Sequence, residues 1–536
     1  MLADWTPSST KPNLTFNMTK TLDQALQSLD KLTNLYDFLS SGFPKNGKAL
    51  AIETPDGRCY SYQDLQRASG RMANWLISLG AKPGDRLAVQ VEKSPEAVML
   101  YLAALRAGMI FLPLNTAYRE SEIGYFLEDA KPTVVVCSPE NLAWVAPLAK
   151  QAGCRHVETL GECINGSVIE KATAHAESFK TVVRGADEIA AILYTSGTTG
   201  RSKGAMLTHR NLASNALVLH HYWQWAKGDV LLHALPIFHV HGLFVALHGA
   251  LFNGSCMLWL AKFDADQVIR LLPRATVMMG VPTFYVRLLA DARFNKALVR
   301  RMRLFVSGSA PLLAETHIEF TQRTGHAILE RYGMSETVML TSNPYKGERK
   351  AGTVGHALPG VSVRLVNDDQ QVIAGKKGAE SEIGGVQVKG PNIFLGYWNM
   401  PEKTKEEFTK DGWFKTGDMG RWDADGYLAL VGRSKDLIIT GGYNVYPKEI
   451  EILLDDIPGV EESAVIGIPH PDFGEAVTAV VVAKAGASLS ESDLMAQVKG
   501  KIANYKVPKR IYVVKALPRN VMGKVQKNVL RDQYKG

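Results

Sequence analysis

The strongest constraint on this chain is the passage from four apolar residues, Ala190, Ala191, Ile192 and Leu193, into a run of glycine and small hydroxyl residues carrying one lysine. From Leu193 to His209 it reads LYTSGTTGRSKGAMLTH, and Thr195, Ser196, Gly197, Thr198, Thr199, Gly200 and Lys203 form its polar part. A short buried strand that empties into such a loop gathers backbone N–H groups and hydroxyls around a polyphosphate. The spacing is not that of a Walker loop, because Gly204 follows Lys203 where serine or threonine would stand. Taken alone, a Ser/Thr/Gly run is a mobile turn. The flanking glycines, the lysine and the preceding strand make it a phosphate loop, and a helical apolar pattern follows over Asn211 to Leu219.

At 536 residues the chain exceeds what one core can serve, so two or more domains are expected. Leu22, Leu26, Leu29, Leu32, Leu35 and Phe38 predict an amphipathic helix over 20–39. A helix over 64–79 closed by Gly80, a strand over 85–91, a helix opened by Ser94–Pro95 and a strand over 134–137 then alternate as α/β layers do. Further strands are expected over 275–280 and 303–307, with a helix opened by Pro282 between them. From Gly352 the pattern turns to short β pieces with glycine turns, and after Arg433 to a compact alternation of helix and strand. The expected fold is α/β: a large N-terminal α/β body with a β subdomain, plus a small mobile C-terminal α+β lid. Residues 1–17 read as a disordered leader, 18–433 as the body and 434–536 as the lid.

Composition narrows the partners. A net charge of +8 without an RNP motif, zinc-finger spacing or long Lys/Arg block fits small anionic substrates better than nucleic acid. The five cysteines are scattered with no C-x-x-C pair, which fits a reducing compartment. No apolar run reaches membrane-spanning length and the first residues lack a signal-peptide core, so no membrane partner and a cytoplasmic location are expected. His239 and His241 stand two apart in a Pro-Phe-His-x-His-Gly turn, but without a nearby carboxylate or cysteine they do not read as a metal site.

Activating a carboxylate with ATP requires a pyrophosphate clamp, a Mg2+ ligand, nucleoside recognition and positive charge at the α-phosphate. The phosphate loop, the GSAPL run (Gly308, Ser309, Ala310), YGMSE (Tyr332, Gly333, Met334, Ser335, Glu336), FKTGD (Asp418), GRSKD (Arg433, Lys435) and LPRNVMGKVQK (Lys524) occur in that order. Together they resemble, nearly letter for letter, the signature of the adenylate-forming superfamily: acyl-CoA synthetases, luciferases and peptide-synthetase adenylation domains. The resemblance covers the chain from about Leu35 to its end. It implies Thr195 and Lys203 at the phosphates, and Glu336 with Thr195 at magnesium. It further implies Tyr332 and Gly308–Ala310 beside adenine, Ser335 on a phosphate, Asp418 and Arg433 on the ribose, and Lys524 at the reacting centre. Lys435 matches the hinge about which the lid swaps faces, withdrawing Lys524 and presenting Gly441, Gly442 and Tyr443 to the pantetheine arm of coenzyme A. Glycines there would let a narrow thiol arm pass close to backbone.

The runs EKSPEAVMLYLAALRAG, HALPIFHVHGLFVA, MGVPTFYVRLL, LERYGMSET and ITGGYNVYPKEIE look like malonyl-CoA synthetases in particular. That resemblance implies ATP, Mg2+ and coenzyme A as cofactor and co-substrates, and malonate as the acid. Arg287, four residues after Thr283 on one helix face, could pair bidentately with a second carboxylate; His239, His241 and Ser307 offer further donors. Ligases for methylmalonate, acetate or propionate, and a non-catalytic nucleotide-binding relative, are the competing readings. A lysine acetyltransferase and deacetylase acting on Lys524 would switch the first half reaction, since acetylation removes the charge. A monomer or dimer is expected.

Overall fold

The computed structural model describes residues 21–195, 202–375, 378–440, 443–499, 501–520 and 523–535. Ser196, Gly197, Thr198, Thr199 and Gly200 of the phosphate loop, Gly441 and Gly442 of the lid, and the expected leader at 1–17 all lie outside these segments.

Two large sheets build the body. Among the described residues one has seven strands, with Arg86–Gln90, Ile110–Pro113, Val134–Cys137, His156–Thr159 and Ile189–Thr195 parallel. The other has nine, with Val230–His233, Cys256–Trp259, Val277–Gly280, Leu304–Ser307 and Leu329–Met334 parallel. The helix Pro95–Arg106 is buried at every position. Its sequence, PEAVMLYLAALR, is apolar on all sides, which suits a helix enclosed by protein rather than one facing water. Ser94 caps it by accepting from the Ala97 N–H at 3.1 Å, and Pro95 fills the first helical position, where its missing N–H costs nothing.

The β subdomain is a five-stranded antiparallel sheet formed by Ser362–Val366, Val372–Ile373, Gly384–Lys389, Phe414–Trp422 and Leu428–Arg433. A 3-10 turn, Ser434–Asp436, leads from it into a separate α+β unit. There Val460–His470 and Gly474–Ala483 form a long antiparallel hairpin, Arg510–Val514 adds in parallel, and Ile438, Ile450, Val465, Val477 and Leu494 form an apolar core of their own.

Two expectations change in detail. The helix expected over 20–39 is three pieces, Leu22–Ser28, a 3-10 turn Leu29–Lys31, and Leu35–Ser40. Asn34 breaks it: its side chain caps the Tyr36 N–H at 2.8 Å and donates to the carbonyls of Leu105 and Val182, a tertiary anchor that overrides the helical period. Lys203 also begins a strand, Lys203–Thr208, antiparallel to Ile189–Thr195. The strand Lys203–Thr208 therefore stands between the loop residues and the helix, and the helix His209–Tyr222 starts only after it.

Candidate active site

The parallel strands of the nine-stranded sheet end on one side, and the segments leaving those ends converge there, as ligand crevices of open α/β sheets require. Ser307 ends one strand and leads to Gly308; Gly280 ends another and leads to the helix Pro282–Leu289. Leu329–Met334 turns back through a tight hairpin into Val338–Ser342, which places Glu336 at the turn. Gly333 is indispensable to that turn, because a Cβ on it would fall 1.8 Å from the Val338 carbonyl oxygen. Val338 itself adopts φ 52°, the left-handed region that β-branched residues avoid, so the hairpin holds Glu336 at some cost in backbone strain.

The polar groups on this side are paired. Tyr332 donates its hydroxyl to Asp418, and Arg433 Nε lies 2.9 Å from the other Asp418 oxygen. Asp418 and Arg433 face each other across their hairpin, so the ladder register alone brings them together. Glu336 accepts from the Tyr397 hydroxyl at 2.9 Å, and Lys203 Nζ lies 4.5 Å from the Tyr397 ring centre and 3.7 Å from Glu407. Burial raises the Glu336 carboxyl above its ordinary range. Thr195 and Lys203 oppose each other in the ladder, so both flank the loop tip. Gly308, Ser309 and Ala310 follow directly on Ser307, and Ser309 holds φ 71° with its hydroxyl 3.3 Å from His241 Nδ1. Met334 and Ser335 are half-buried in the turn before Glu336.

The lid completes the cleft. Lys524 keeps its surface open to water although protein crowds it from both units. That crowding, and then Arg433, lower its affinity for a proton, while Asp418 and Glu336 act in the opposite sense. The adjoining Gly523 sits against the body, where a Cβ on it would lie 3.8 Å from the Thr283 hydroxyl. An exposed Lys484–Glu315 ion pair at 2.8 Å also crosses between the units, and pairs of that kind hold weakly. Tyr443 stacks on Tyr505 at 4.6 Å and is exposed, and Lys435 is exposed in the connecting turn.

Also facing Lys524, His239 is half-buried and pushed down to about 3, by burial first and then by Lys524 and Arg331. His241 is buried and also lowered, by burial first and then by Arg331, so both rings are neutral at pH 7. His241 also opens a π-helical turn, His241–Leu247, a rare geometry that concentrates at functional sites. Arg287 is exposed on the helix Pro282–Leu289 and forms no ion pair with any described residue. Arg331 and Tyr397 had no role in the sequence reading, yet both stand here. Arg331 directly precedes YGMSE, and strand alternation could have set it apart from Glu330; Tyr397 comes from a distant strand and left no local signal.

Residues 42–398 match the family described as AMP-binding enzyme, and residues 449–524 match its C-terminal domain. The chain belongs to the AMP-binding enzyme family. It is 38% identical over 509 residues to the mitochondrial malonate–CoA ligase of Mus musculus, covering 88% of this chain and 87% of that one. It superposes on ATP-bound MatB from Rhodopseudomonas palustris with a TM-score of 0.90 at 55% identity, covering 94% of this chain and 99% of that chain. Against apo MatB of the same organism, at the same identity and coverage, the TM-score is 0.81. The fold of this AMP-binding enzyme is the expected α/β body with a small C-terminal α+β unit. Among the described residues no helix is long and apolar enough to cross a membrane.

Proposed function

We propose that this enzyme is an ATP-dependent malonate–CoA ligase that works through a malonyl-adenylate. In the first half reaction a malonate carboxylate oxygen attacks the α-phosphorus of ATP and pyrophosphate leaves. In the second the coenzyme A thiolate attacks the acyl carbon and AMP leaves, giving malonyl-CoA. The observation that carries this reading is the position of Lys524. A lysine delivered by a separate lid stands within the electrostatic reach of Arg433, Asp418 and Glu336 on one side and His239 on the other, where nucleotide and acid must meet.

On this reading each residue has a role. Asp418 is held by Tyr332 and Arg433 and keeps further lone pairs for ribose hydroxyls. Lys203, Thr195 and the loop 196–200 flank the phosphates, Ser335 reaches one of them, and Gly308–Ala310 with Tyr332 and Gly333–Met334 line the adenine. Among the described residues no cluster of three or more His, Cys, Asp or Glu could hold a metal. One buried carboxylate and one hydroxyl, Glu336 and Thr195, suit a cation bound chiefly through phosphate and water, as Mg2+ is. Bound there, Mg2+ would neutralise phosphate charge.

Lys524 would face the charge developing at the α-phosphate. Rotation about Lys435 would then remove it and bring the 441–443 segment to the thiol, a gating step of the domain-closure kind. Arg287, with His239, His241 and Ser307, would meet the second carboxylate. Free Cys59, Cys137, Cys154, Cys163 and Cys256 support a reducing compartment, the cytoplasm in our reading. AMP formation with malonate, methylmalonate, acetate and octanoate, each with and without CoA, tests the whole reading. Malonate turnover that requires CoA is expected; preference for acetate or octanoate would remove the dicarboxylate, and silence with every acid would remove the ligase.

A further inference from the structure

Two residues assigned to the polyphosphate stand at strand ends: Thr195 closes Ile189–Thr195 and Lys203 opens Lys203–Thr208. They face each other on the last rung of their ladder, where strand pairing alone constrains least. One helix, Glu120–Ala130, reaches both ends. In its last turn Asp129 accepts from the Tyr194 hydroxyl at 2.5 Å, and in its middle Tyr125 donates its hydroxyl to the Ser202 carbonyl at 2.8 Å. Tyr194 and Ser202 directly precede Thr195 and Lys203. Tyr125 and Asp129 are four residues apart and share a helix face, so a single helix can grip both strands. The Phe126 ring packs on the Tyr194 ring with centres 4.4 Å apart.

Asp129 also holds a third segment. Its backbone carbonyl accepts from Trp398 Nε1 and Asn399 Nδ2, both at 3.1 Å, and its second carboxylate oxygen lies 3.4 Å from Asn399 Nδ2. Trp398 and Asn399 follow Tyr397, whose hydroxyl donates to Glu336 and whose ring lies against Lys203 Nζ. The Trp398 N–H donates to the Gly204 carbonyl at 2.7 Å, one residue past Lys203. Asp129 is therefore a node that serves Thr195 through Tyr194, Lys203 through Trp398, and Glu336 through Tyr397. A hydrogen bond that ends on a carboxylate oxygen is stronger than one between neutral groups. Burial first, and then Asp129, raise the Tyr194 hydroxyl well above its ordinary range, so it keeps its proton and stays the donor.

We propose that Asp129, supported by Tyr125, is a positioning residue for the triphosphate: it sets the spacing of Thr195, Lys203 and Glu336 by gripping the residues beside them. This rests on the ligase reading above and deepens it. On that reading adenine and ribose are held elsewhere, by Gly308–Ala310 and by Asp418, so the node governs only the β- and γ-phosphate end of the nucleotide. ATP should depend on it and AMP should not.

The test compares wild type with Asp129→Ala, Asp129→Asn, Tyr194→Phe and the Asp129→Ala/Tyr194→Phe double variant. Calorimetry gives the Kd for MgATP and for AMP. In Asp129→Ala the Kd for MgATP should rise on the order of tenfold, whereas that for AMP should stay within about twofold. A merely structural role would weaken both nucleotides alike. Asp129→Asn keeps an oxygen for the Tyr194 hydroxyl and should recover most of the ATP affinity. Tyr194→Phe deletes only the donor and should weaken MgATP about fivefold; it decides the matter if Asp129→Ala does not fold. The double variant should lose less than the two single losses combined, because the groups act as one pair. Equal losses for ATP and AMP, undiminished ATP affinity in Asp129→Ala, or additive losses in the double variant would overturn the node. Neither constant requires an acid. A wild type that turned over no malonate would therefore sink the ligase reading alone, whereas one that bound no nucleotide would sink both.

Discussion

The two sides of the cleft follow opposite rules. On the nucleotide side the charges and hydroxyls are paired within the protein: Tyr332 and Arg433 on Asp418, Tyr397 on Glu336, Lys203 near Glu407. On the acyl side Arg331, His241 and Ser307 have buried polar atoms without partners, and Arg287 stands exposed without an ion pair among the described residues. A paired site is preorganised and loses little on binding. An unpaired one stores desolvation cost that a fitting anion relieves, so it discriminates by what the ligand brings.

The largest departure from this contrast should come from the lid. Lys524→Ala is expected to slow malonate-dependent pyrophosphate exchange by about 100- to 1,000-fold, the usual loss for one transition-state donor. Thioester formation from preformed malonyl-adenylate should stay near wild type, and enzyme acetylated at Lys524 should behave alike. Equal losses in both half reactions would show that the lysine does not distinguish them. Next, Asp418→Ala leaves Arg433 and the Tyr332 hydroxyl without their acceptor and should cost about 2–3 kcal/mol of ATP binding, read by calorimetry. Malonate should still raise the melting temperature of this variant if the two sides are independent.

Arg287→Ala should be milder, about 1–2 kcal/mol in malonate kcat/KM with propionate unaffected, because an exposed guanidinium is screened by solvent. Unchanged malonate kcat/KM would place the whole dicarboxylate preference deeper in the cleft. Glu330→Gln should alter turnover least and instead test the missing countercharge. Glu330 is raised in the fold to about 8 from an ordinary 4.5, so its contribution to stability is full below pH 4.5 and is lost as pH rises through about 8. The melting temperature of Glu330→Gln should therefore match wild type near pH 4.5 and exceed it by a few degrees at pH 8. A pH-independent difference would mean that the fold does not raise Glu330, which would then be ionised at neutral pH and able to neutralise Arg331.

Much of this was legible in the sequence where the chemistry is local. The strand into Thr195, the Pro282 helix start and the helix that closes just before Gly80 follow from period and capping alone. Asp418 and Arg433 could be singled out by motif; that they face each other follows from hairpin register. What could not be read depends on contacts between distant segments. Asn34 breaks a helix by reaching Leu105 and Val182, and Tyr397 meets Glu336 from 61 residues away. Arg331 was visible as a residue, but an arginine beside a motif looks like any other until its burial and its missing partners are known.

The central claim is that the acyl side is built for a second negative charge. Turnover of malonate against monomethyl malonate by the wild-type enzyme, at saturating ATP and CoA, tests it most directly, since the ester keeps the chain and removes only the distal charge. The account predicts a kcat/KM on the order of 100-fold or more in favour of malonate. Ratios near one would contradict it.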